Sequence, residues 1–289
     1  MEFCELISVV IPTYNRREAL PAAIESVCAQ TYENIELIVV DDASTDGTHE
    51  LFAAISDPRV KYLRYEQNRG ACYARNLGAA QARGALIAFQ DSDDTWHADK
   101  LEKQYRRLCD TGAEMCFCGM RRVAENGSAF YYPVHAPGAG NPVGDFLSEN
   151  RASTQTMLMR REVWERLRFD EDIRRYQDWD FAIRAAAQFD LVYLPEALVD
   201  SAVGRDSISA RVASYPHLLR LYEKHSALYM AHPESRAIMN RRMGKRLHPQ
   251  EPRRAAAHFK TSLDLTHSPY DWGYWALDTL LSHRQAKKG

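Results

Sequence analysis

Three aspartates, Asp91, Asp93 and Asp94, stand within four positions directly after a short apolar run at residues 86–89. The run follows a glycine and is too short for a helix, which favours a buried β-strand. Carboxylates crowded at a strand end repel one another unless a cation or hydrogen-bond donors compensate. The pattern therefore fits two structures, either a solvated turn or a divalent-metal site at the carboxyl end of a buried sheet.

A second acidic pair, Asp178 and Asp180, stands where apolar spacing predicts a helix that begins near Asp178. Carboxylates two positions apart on a helix point to nearly opposite sides, so only one of them can face a shared crevice. A purely structural interpretation makes Asp178 an N-cap and Asp180 a first-turn acid, each with modest dipole stabilisation. The residues alone favour that structural interpretation over a catalytic one.

Strand–helix alternation with a repeat of roughly 25 to 30 residues must position these acids, and it is typical of βαβ units. The predicted strands are four apolar runs, at residues 6–11, 35–40, 60–65 and 84–89. Because parallel strands all end at one edge of a sheet, the loops at Thr13, Asp42, Asn68 and Asp91 should converge on one crevice. No glycine-rich phosphate loop of the G-x-G-x-x-G or P-loop kind follows these strands. We therefore expect carboxylates and a cation to hold whatever binds there.

The remaining chain predicts shorter elements and then a helical extension. Helices are predicted at 98–109 and 161–167, and strands at 113–118, 121–124, 129–132, 154–159, 191–194 and 197–199. Residues 133–142 hold three prolines and predict a loop that could close over a substrate. In the extension, residues 241–260 carry seven Lys or Arg against one acid. A solvated helical face is the favoured interpretation, with peripheral contact to anionic lipid as the alternative.

Composition excludes several classes of protein. The chain has 289 residues, is 45% hydrophobic and 26% charged, and has a formal net charge of -2, so nothing global favours nucleic-acid binding. No apolar run approaches the roughly 18 residues of a membrane span. The acidic N-terminus differs from a signal peptide, so we expect a cytoplasmic protein. Six scattered cysteines fit reduced thiols.

Five sequence motifs, taken together, resemble family 2 glycosyltransferases with the GT-A fold. They are SVVIPTYNR at 8–16, VVDDASTDGT at 39–48, NRG at 68–70 with ARN at 74–76, FQDSDD at 89–94 and QDWD at 177–180. The resemblance covers about residues 6–210. It implies an α/β, Rossmann-like, mostly parallel central sheet flanked by helices. The implied domains are a GT-A domain at 1–205, with a nucleotide-binding half at 1–96 and an acceptor half at 97–205, and a helical C-terminal extension at 206–289.

The resemblance also implies roles for individual residues. Those implied to bind the nucleotide sugar are Pro12, Thr13, Tyr14, Asp42, Asn68, Arg75, Asp91 and Ser92. Asp93, with Asp91, would hold Mn²⁺ or Mg²⁺, Asp178 would be the general base, and Trp179 would lie on the acceptor side. Asp94 is left as a solvated or capping acid before the next helix.

The implied activity is metal-dependent, inverting hexosyl transfer from a nucleotide-diphosphate sugar, with uridine diphosphate as the family's commonest carrier. The acceptor would be a hydroxyl of a glycan or lipid-linked acceptor, as in bacterial-type surface polysaccharide synthesis. Such an enzyme would be cytoplasmic, with peripheral contact at the inner face of the membrane as an option.

Two departures from the family pattern leave alternatives open. Gln177 replaces the glutamate that often precedes the last aspartate, and Gly204 stands where many members have a histidine, with Arg205 as a substitute cation. A nucleotide-sugar-binding pseudoenzyme is therefore one alternative. A haloacid-dehalogenase-like phosphatase is a remote one, because residues 91–95 also match its D-x-D-x-T pattern, although that family carries the pattern after its first strand.

Overall fold

The structure is a computed structural model, and it describes residues 5–53, 55–124, 126–133, 142–203 and 214–286. These residues form two compact units, which are described separately below. The first unit contains the described residues up to 133 together with 150–203, and the second contains 142–149 and 214–286.

The first unit is built on a nine-stranded mixed sheet within the described residues. Its strands are β1 (Ile7–Thr13), β2 (Ile35–Asp41), β3 (Val60–Arg64), β4 (Leu86–Phe89), β5 (Asp94–Trp96), β6 (Met115–Ala124), β7 (Ala129–Tyr132), β8 (Met157–Arg160) and β9 (Leu191–Val203). The strand order is β3-β2-β1-β4-β8-β6-β9-β5, and β7 pairs with β6. Strands β1 to β4 pair in parallel, β1 with β2 and β4 and β2 with β3, as the sequence predicts. The later strands add antiparallel pairs, with β6 and β9 parallel.

Eleven helices are described across the two units. They are α1 (Leu20–Cys28), α2 (Ala71–Gln81), α3 (Lys100–Thr111), α4 (Pro142–Ser148), α5 (Arg161–Leu167), α6 (Gln177–Ala186), α7 (Ser214–Lys224), α8 (Ser226–Ala231), α9 (Pro233–Leu247), α10 (Pro252–Thr266) and α11 (Pro269–Ala286). Short 3-10 helices cover Thr48–Ala53 and Thr154–Thr156.

The central strands are buried on both faces, which explains why their sequences are continuous apolar runs rather than alternating ones. Helix α2 lies very close to this sheet at Gly78. A Cβ there would stand 2.5 Å from Cγ1 of Val10 and 2.9 Å from Cγ2 of Val40, so only glycine allows the contact. This close packing fixes where α2 presents its side chains at the strand ends.

Several element predictions were wrong in detail. The strands predicted at 113–118 and 121–124 form one strand, β6 (Met115–Ala124), and those predicted at 191–194 and 197–199 form the single strand β9 (Leu191–Val203). The two strands pair in parallel with a bulge, because Cys118 pairs with Leu194 but Gly119 pairs with Ala197. Pro195 lies in the bulge, where its missing N–H breaks no ladder bond. Between β2 and β3, where the strand–helix alternation predicts a helix, the structure has the short 3-10 helix Thr48–Ala53, and β5 had not been predicted.

The second unit is helical, as expected for the C-terminal region. Proline begins α9, α10 and α11, where its missing N–H has no intrahelical partner to lose. Leu247, Ala255 and Phe259 form its small core, with Tyr274 stacked on Phe259 at 4.8 Å between ring centroids. Within the described residues, no helix has the length and apolar character needed to cross a membrane.

Candidate active site

The loops that follow β1 and β2 are cross-linked at the strand ends. The backbone N–H of Asp42 donates to the carbonyl of Thr13 at 2.8 Å. The N–H of Asn15 donates to Oγ of Ser44 at 2.9 Å, and the side-chain oxygen of Asn15 accepts from the N–H of Thr45 at 2.8 Å. Pro12 and Thr13 are buried within β1, whereas Tyr14 is exposed. The structure therefore brings these predicted residues to one edge of the sheet.

Asp42 holds the third loop in place. Its carboxylate accepts the backbone N–H groups of Arg69 at 2.6 Å and Gly70 at 2.8 Å, and its carbonyl accepts from Nδ2 of Asn68 at 3.2 Å. Gly70 has φ +91°, a backbone conformation that side chains with a Cβ rarely adopt. Each carboxylate oxygen has two acceptor sites, so Asp42 can still accept a hydrogen bond from a ligand.

Arg75 of α2 joins this edge to the acidic stretch after β4. Its Nη2 donates to Oδ1 of Asp91 at 2.6 Å, and its guanidinium is buried. Among the residues that the structure describes, Nε and Nη1 of Arg75 have no hydrogen-bond partner. Burial on its own would lower the pKa of Arg75, but Asp91 outweighs it and keeps the guanidinium charged. A buried cation with two unused donors is a suitable contact for an anionic ligand.

Asp93 differs from its neighbours because its side chain is 51% exposed. Partial desolvation and the nearby Asp91 carboxylate raise its pKa, while Arg16, with Nε 3.6 Å from Oδ2, opposes them. Repulsion between two neighbouring carboxylates is what a divalent cation would relieve, and carboxylate oxygens are ligands that Mn²⁺ and Mg²⁺ accept. Within the described residues, no group of three or more His, Cys, Asp or Glu could hold a metal. The repulsion between Asp91 and Asp93 is the observation that fits a metal ion held by these two carboxylates.

Asp94 is not the solvated or capping acid that was expected. It belongs to β5, which pairs with β9, and its Oδ2 accepts from Nε2 of Gln155 at 2.6 Å. Burial, followed by the charge of Asp91, raises its pKa to about 8. The prediction was wrong because three residues after a turn carry little strand signal.

Asp178 lies at the start of α6, and each of its carboxylate oxygens accepts a hydrogen bond that fixes its orientation. Oδ1 accepts the N–H of Trp179 at 2.8 Å, and Oδ2 accepts from Nδ2 of Asn150 at 2.9 Å. The helix begins at Gln177 after Tyr176, whose φ is +67°, so Asp178 is inside the first turn rather than at the N-cap. The structural interpretation of Asp178 as an N-cap is therefore wrong.

Electrostatic coupling links Asp178 to the strand-end acids. Burial raises its pKa, whereas the hydrogen bonds from Asn150 and the Trp179 N–H, together with the charge of Arg75, lower it. Asp91 adds a further upward contribution to that pKa. Arg75 therefore acts on both motifs, through its ion pair with Asp91 and through its effect on the pKa of Asp178.

The second acid of α6 faces elsewhere. Asp180 is fully buried, and Oδ2 accepts from Nε and Nη2 of Arg184 at 2.9 and 2.7 Å. This confirms that only one acid of the pair can face the crevice. Trp179 is 3% exposed and meets Tyr176 edge-on, so its assignment to an acceptor stays a prediction.

Sequence reasoning missed Asn150 and Gln155, which hold Asp178 and Asp94. Neither belongs to a motif, and both lie in loops or short turns whose partners are remote in sequence. Ser92 is buried beside the acids, and its contact with the donor stays a prediction. Gly204, Arg205 and most of the predicted 133–142 loop lie outside the described residues.

Comparisons with known sequences identify similar proteins. The chain is 38% identical over 134 residues to the putative teichuronic acid biosynthesis glycosyltransferase TuaG of Bacillus subtilis, covering 46% of this chain and 53% of that protein. It is 48% identical over 123 residues to the UDP-Glc:alpha-D-GlcNAc-diphosphoundecaprenol beta-1,3-glucosyltransferase WfgD of Escherichia coli, covering 43% of this chain and 48% of that protein. The matched stretches thus span about half the length of these relatives.

A solved structure extends the likeness to nearly the whole chain. The mannosyltransferase PcManGT of Pyrobaculum calidifontis, in complex with GDP-Man and Mn²⁺, superimposes with a TM-score of 0.66 at 19% identity, covering 98% of this chain and 86% of that one. This likeness confirms the GT-A type fold. The family model for glycosyl transferase family 2 matches residues 8–184, a span that includes the strand-end loops and Asp178. The chain belongs to glycosyl transferase family 2.

Proposed function

We propose that this chain transfers a sugar from a nucleotide-diphosphate donor to a hydroxyl of a glycan or lipid-linked acceptor, as in surface polysaccharide synthesis. One observation carries the proposal. The partly buried carboxylate of Asp178 shares its electrostatic environment with the Arg75–Asp91 ion pair, whose guanidinium is buried, at the carboxyl edge of the sheet. Membership of the family supports the reaction class, and the names of TuaG and WfgD support the choice of pathway and acceptor.

The donor would lie along the strand-end loops. Asp42 can accept a hydrogen bond from the nucleobase, and Pro12, Thr13 and Tyr14 would line the same end of the site. Oγ1 of Thr13 is buried and has no partner among the described residues, so a ligand would satisfy it. The carrier is proposed to be uridine diphosphate, in line with the UDP-Glc in the name of WfgD, although PcManGT was solved with GDP-Man.

Arg75 and the acids after β4 would receive the phosphate end of the donor. The two free donors of Arg75 suit phosphate or ribose oxygens, and Asn68 and Ser92 lie near the same edge. Asp93 and Asp91 would hold Mn²⁺ or Mg²⁺. When bound, such an ion supplies charge neutralisation for the leaving diphosphate.

Asp178 would act as the general base. The acceptor hydroxyl loses its proton to the carboxylate as its oxygen forms a bond to the anomeric carbon, and the bond to the diphosphate oxygen breaks. Asn150 and the Trp179 N–H hold the carboxylate in one orientation, so little reorganisation is needed. With Asp178 as the one proposed base, the proposed reaction is single displacement with inversion, and hexoses are the proposed sugars.

The location of the reaction is also a proposal. The donor class is made in the cytoplasm, so we place the protein there, with contact to the inner face of the membrane, where a lipid-linked acceptor would be found. Neither the pseudoenzyme nor the phosphatase alternative is favoured by a structural observation.

The test compares Asp178→Asn with Asp110→Asn, a matched change of an exposed acid on α3. Nucleotide sugars would first be screened with Mn²⁺ by thermal shift, and the best donor then assayed for transfer and hydrolysis. We expect Asp178→Asn to keep the donor shift and lose nearly all turnover, while Asp110→Asn behaves as wild type. Turnover retained in Asp178→Asn would refute the base, and phosphate release from simple phosphomonoesters would revive the phosphatase.

A further inference from the structure

Helix α11 buries its only two acids. Both Asp271 and Asp278 are fully buried in the second unit. Asp271 accepts from Nε and Nη2 of Arg241 at 2.7 and 2.6 Å and from Oγ of Ser262 at 2.8 Å, and Asp278 is paired with Nδ1 of His248 at 2.6 Å. These buried polar pairs attach the helix to its unit in addition to the packing of Tyr274 and Trp275 on the apolar cluster around Phe259.

Three large apolar residues of α11 point away from the rest of the second unit. Trp272, Leu277 and Leu280 are 58%, 45% and 62% exposed, respectively. At 100° per residue these three lie on the side of the helix opposite Asp271 and Asp278. An ordinary surface helix exposes its charges, whereas α11 buries both acids and exposes a second apolar side besides the one that packs on Phe259. Exposed apolar faces of this kind mark interaction surfaces.

Cations lie at one end of this outward face. Tyr270 at the start of α11 is exposed, and its ring centroid is 4.9 Å from Nζ of Lys245 and 5.7 Å from Cζ of Arg241. An aromatic ring with an amphipathic cation beside it is typical of side chains at a membrane–water boundary. Because the acids of α11 are buried and paired, none is exposed along the helix.

The C-terminal region as a whole is positively charged, like the two cations beside Tyr270. Residues 206–289 contain fourteen Lys or Arg and seven Asp or Glu, so they are strongly basic although the whole chain has a net charge of -2. An anionic surface would be attracted to this region. Two copies paired through α11 would bring like charges together, which disfavours a second copy as the occupant.

We propose that the outward face of α11, formed by Trp272, Leu277 and Leu280 with Tyr270 and Lys245 at its end, binds the surface of an anionic lipid bilayer. The helix would lie in the plane of the headgroups with its apolar side chains inserted. This inference goes beyond the transfer reaction and does not depend on it, because lipid binding can be measured without donor or acceptor.

The test measures flotation of the full chain with vesicles of phosphatidylcholine alone and of phosphatidylcholine with about a third phosphatidylglycerol, a content that makes the surface anionic. Leu280→Glu is compared with Met230→Glu, a matched change of an equally exposed residue on α8 (63% exposed). We expect the wild type to bind the anionic vesicles, to bind less as salt rises, and to bind neutral vesicles weakly. Leu280→Glu should lose at least about tenfold in partitioning, because a carboxylate would enter the headgroup region, and Met230→Glu should not.

The outcomes separate lipid from protein partners. Light scattering of the same samples reports the oligomeric state. Equal binding by Leu280→Glu and wild type, or no binding of anionic vesicles by wild type, would overturn the proposal. A wild-type dimer that Leu280→Glu dissociates, without lipid binding, would identify a second copy as the occupant. Transfer to a soluble acceptor should be unchanged in Leu280→Glu, so a failed transfer assay does not affect this result.

Discussion

Lys100, in the first turn of α3, is completely buried, and replacing it with methionine should change how stability depends on pH. Its Nζ donates to Oε1 of Gln104 at 2.7 Å and lies 3.8 Å from the ring centroid of Trp96. Burial lowers the pKa of this amine from 10.5 to about 8, although Cys118 and Cys116 act in the opposite direction. The folded state therefore holds a charge at pH 7 that its surroundings disfavour.

The size of the effect follows from that pKa. Between pH 8 and 10.5 the unfolded chain binds the proton and the folded chain releases it, so wild-type stability rises with pH across this window. The full change corresponds to roughly 3 kcal/mol. At pH 7, Lys100→Met removes this cost but loses the Gln104 hydrogen bond and the cation–π contact, about 2–3 kcal/mol together, so the net change should be small. At pH 10.5 the variant should be less stable than wild type by roughly 2–3 kcal/mol, because wild type has by then gained the linkage energy and methionine does not titrate.

The assay is urea unfolding followed by circular dichroism at a series of pH values from neutral to about 10, where the amine of Lys100 loses its proton. Other groups titrate equally in both proteins, so they cancel in the difference between variant and wild type. Lys103→Met, on the same helix, is the control: ion pairs with Asp99 and Glu196 raise the pKa of Lys103, so any change of its stability difference with rising pH should run opposite to that of Lys100→Met. A stability difference between Lys100→Met and wild type that stays constant from pH 7 to 10 would refute the reasoning, because it would mean that the buried amine does not change its protonation in this range.

Three further predictions concern the site and its support. Asp93→Ala should abolish the rise in melting temperature that Mn²⁺ and donor together produce, since a ligand stabilises only the state that binds it; an undiminished rise would exclude Asp93 as a metal ligand. Asn150→Ala should lower kcat by roughly 10- to 100-fold, the worth of a hydrogen bond to a charged group, with little change in donor KM. The acidic limb of the variant's rate–pH profile should move to higher pH, because in the wild type the hydrogen bond from Asn150 lowers the pKa of Asp178 and its loss raises that pKa. A limb that stays in place would argue against this role. Gly78→Ala should lower stability by roughly 1–3 kcal/mol, measured by thermal unfolding, because its Cβ would meet Val10 at 2.5 Å.

The nucleotide-binding half was predictable because its physics is local. Strands buried on both faces need continuous apolar runs, and each run is interrupted where the chain leaves the sheet. Parallel connections then place every exit loop at one edge, so Asp42 and Asp91 could be brought together without coordinates. The hydrogen bonds that the Asp42 carboxylate accepts from the N–H groups of Arg69 and Gly70 show that an acid of the site itself holds the third loop at this edge.

The acceptor half was less predictable because its structure depends on pairing between distant segments. Gly119 and Pro195 interrupt their local patterns, yet each lies in a strand that continues through a bulge. Asn150 reaches Asp178 across 28 positions, and Gln155 reaches Asp94 across 61. No periodicity within either segment encodes such contacts, so a single sequence cannot reveal them.

Burial divides the three carboxylates of the acidic stretch into different electrostatic roles. Asp94, with a pKa raised to about 8, is mostly protonated at neutral pH, which removes one of three crowded charges. Asp91 is compensated by the buried guanidinium of Arg75, a pair that solvent screens little. Asp93 has the half-exposed Arg16 at 3.6 Å as its ion-pair partner among the described residues, and exposed ion pairs contribute at most about 1 kcal/mol. Asp93 is therefore the carboxylate whose partner is most easily replaced, and a divalent cation would compete there with Arg16 rather than with Arg75.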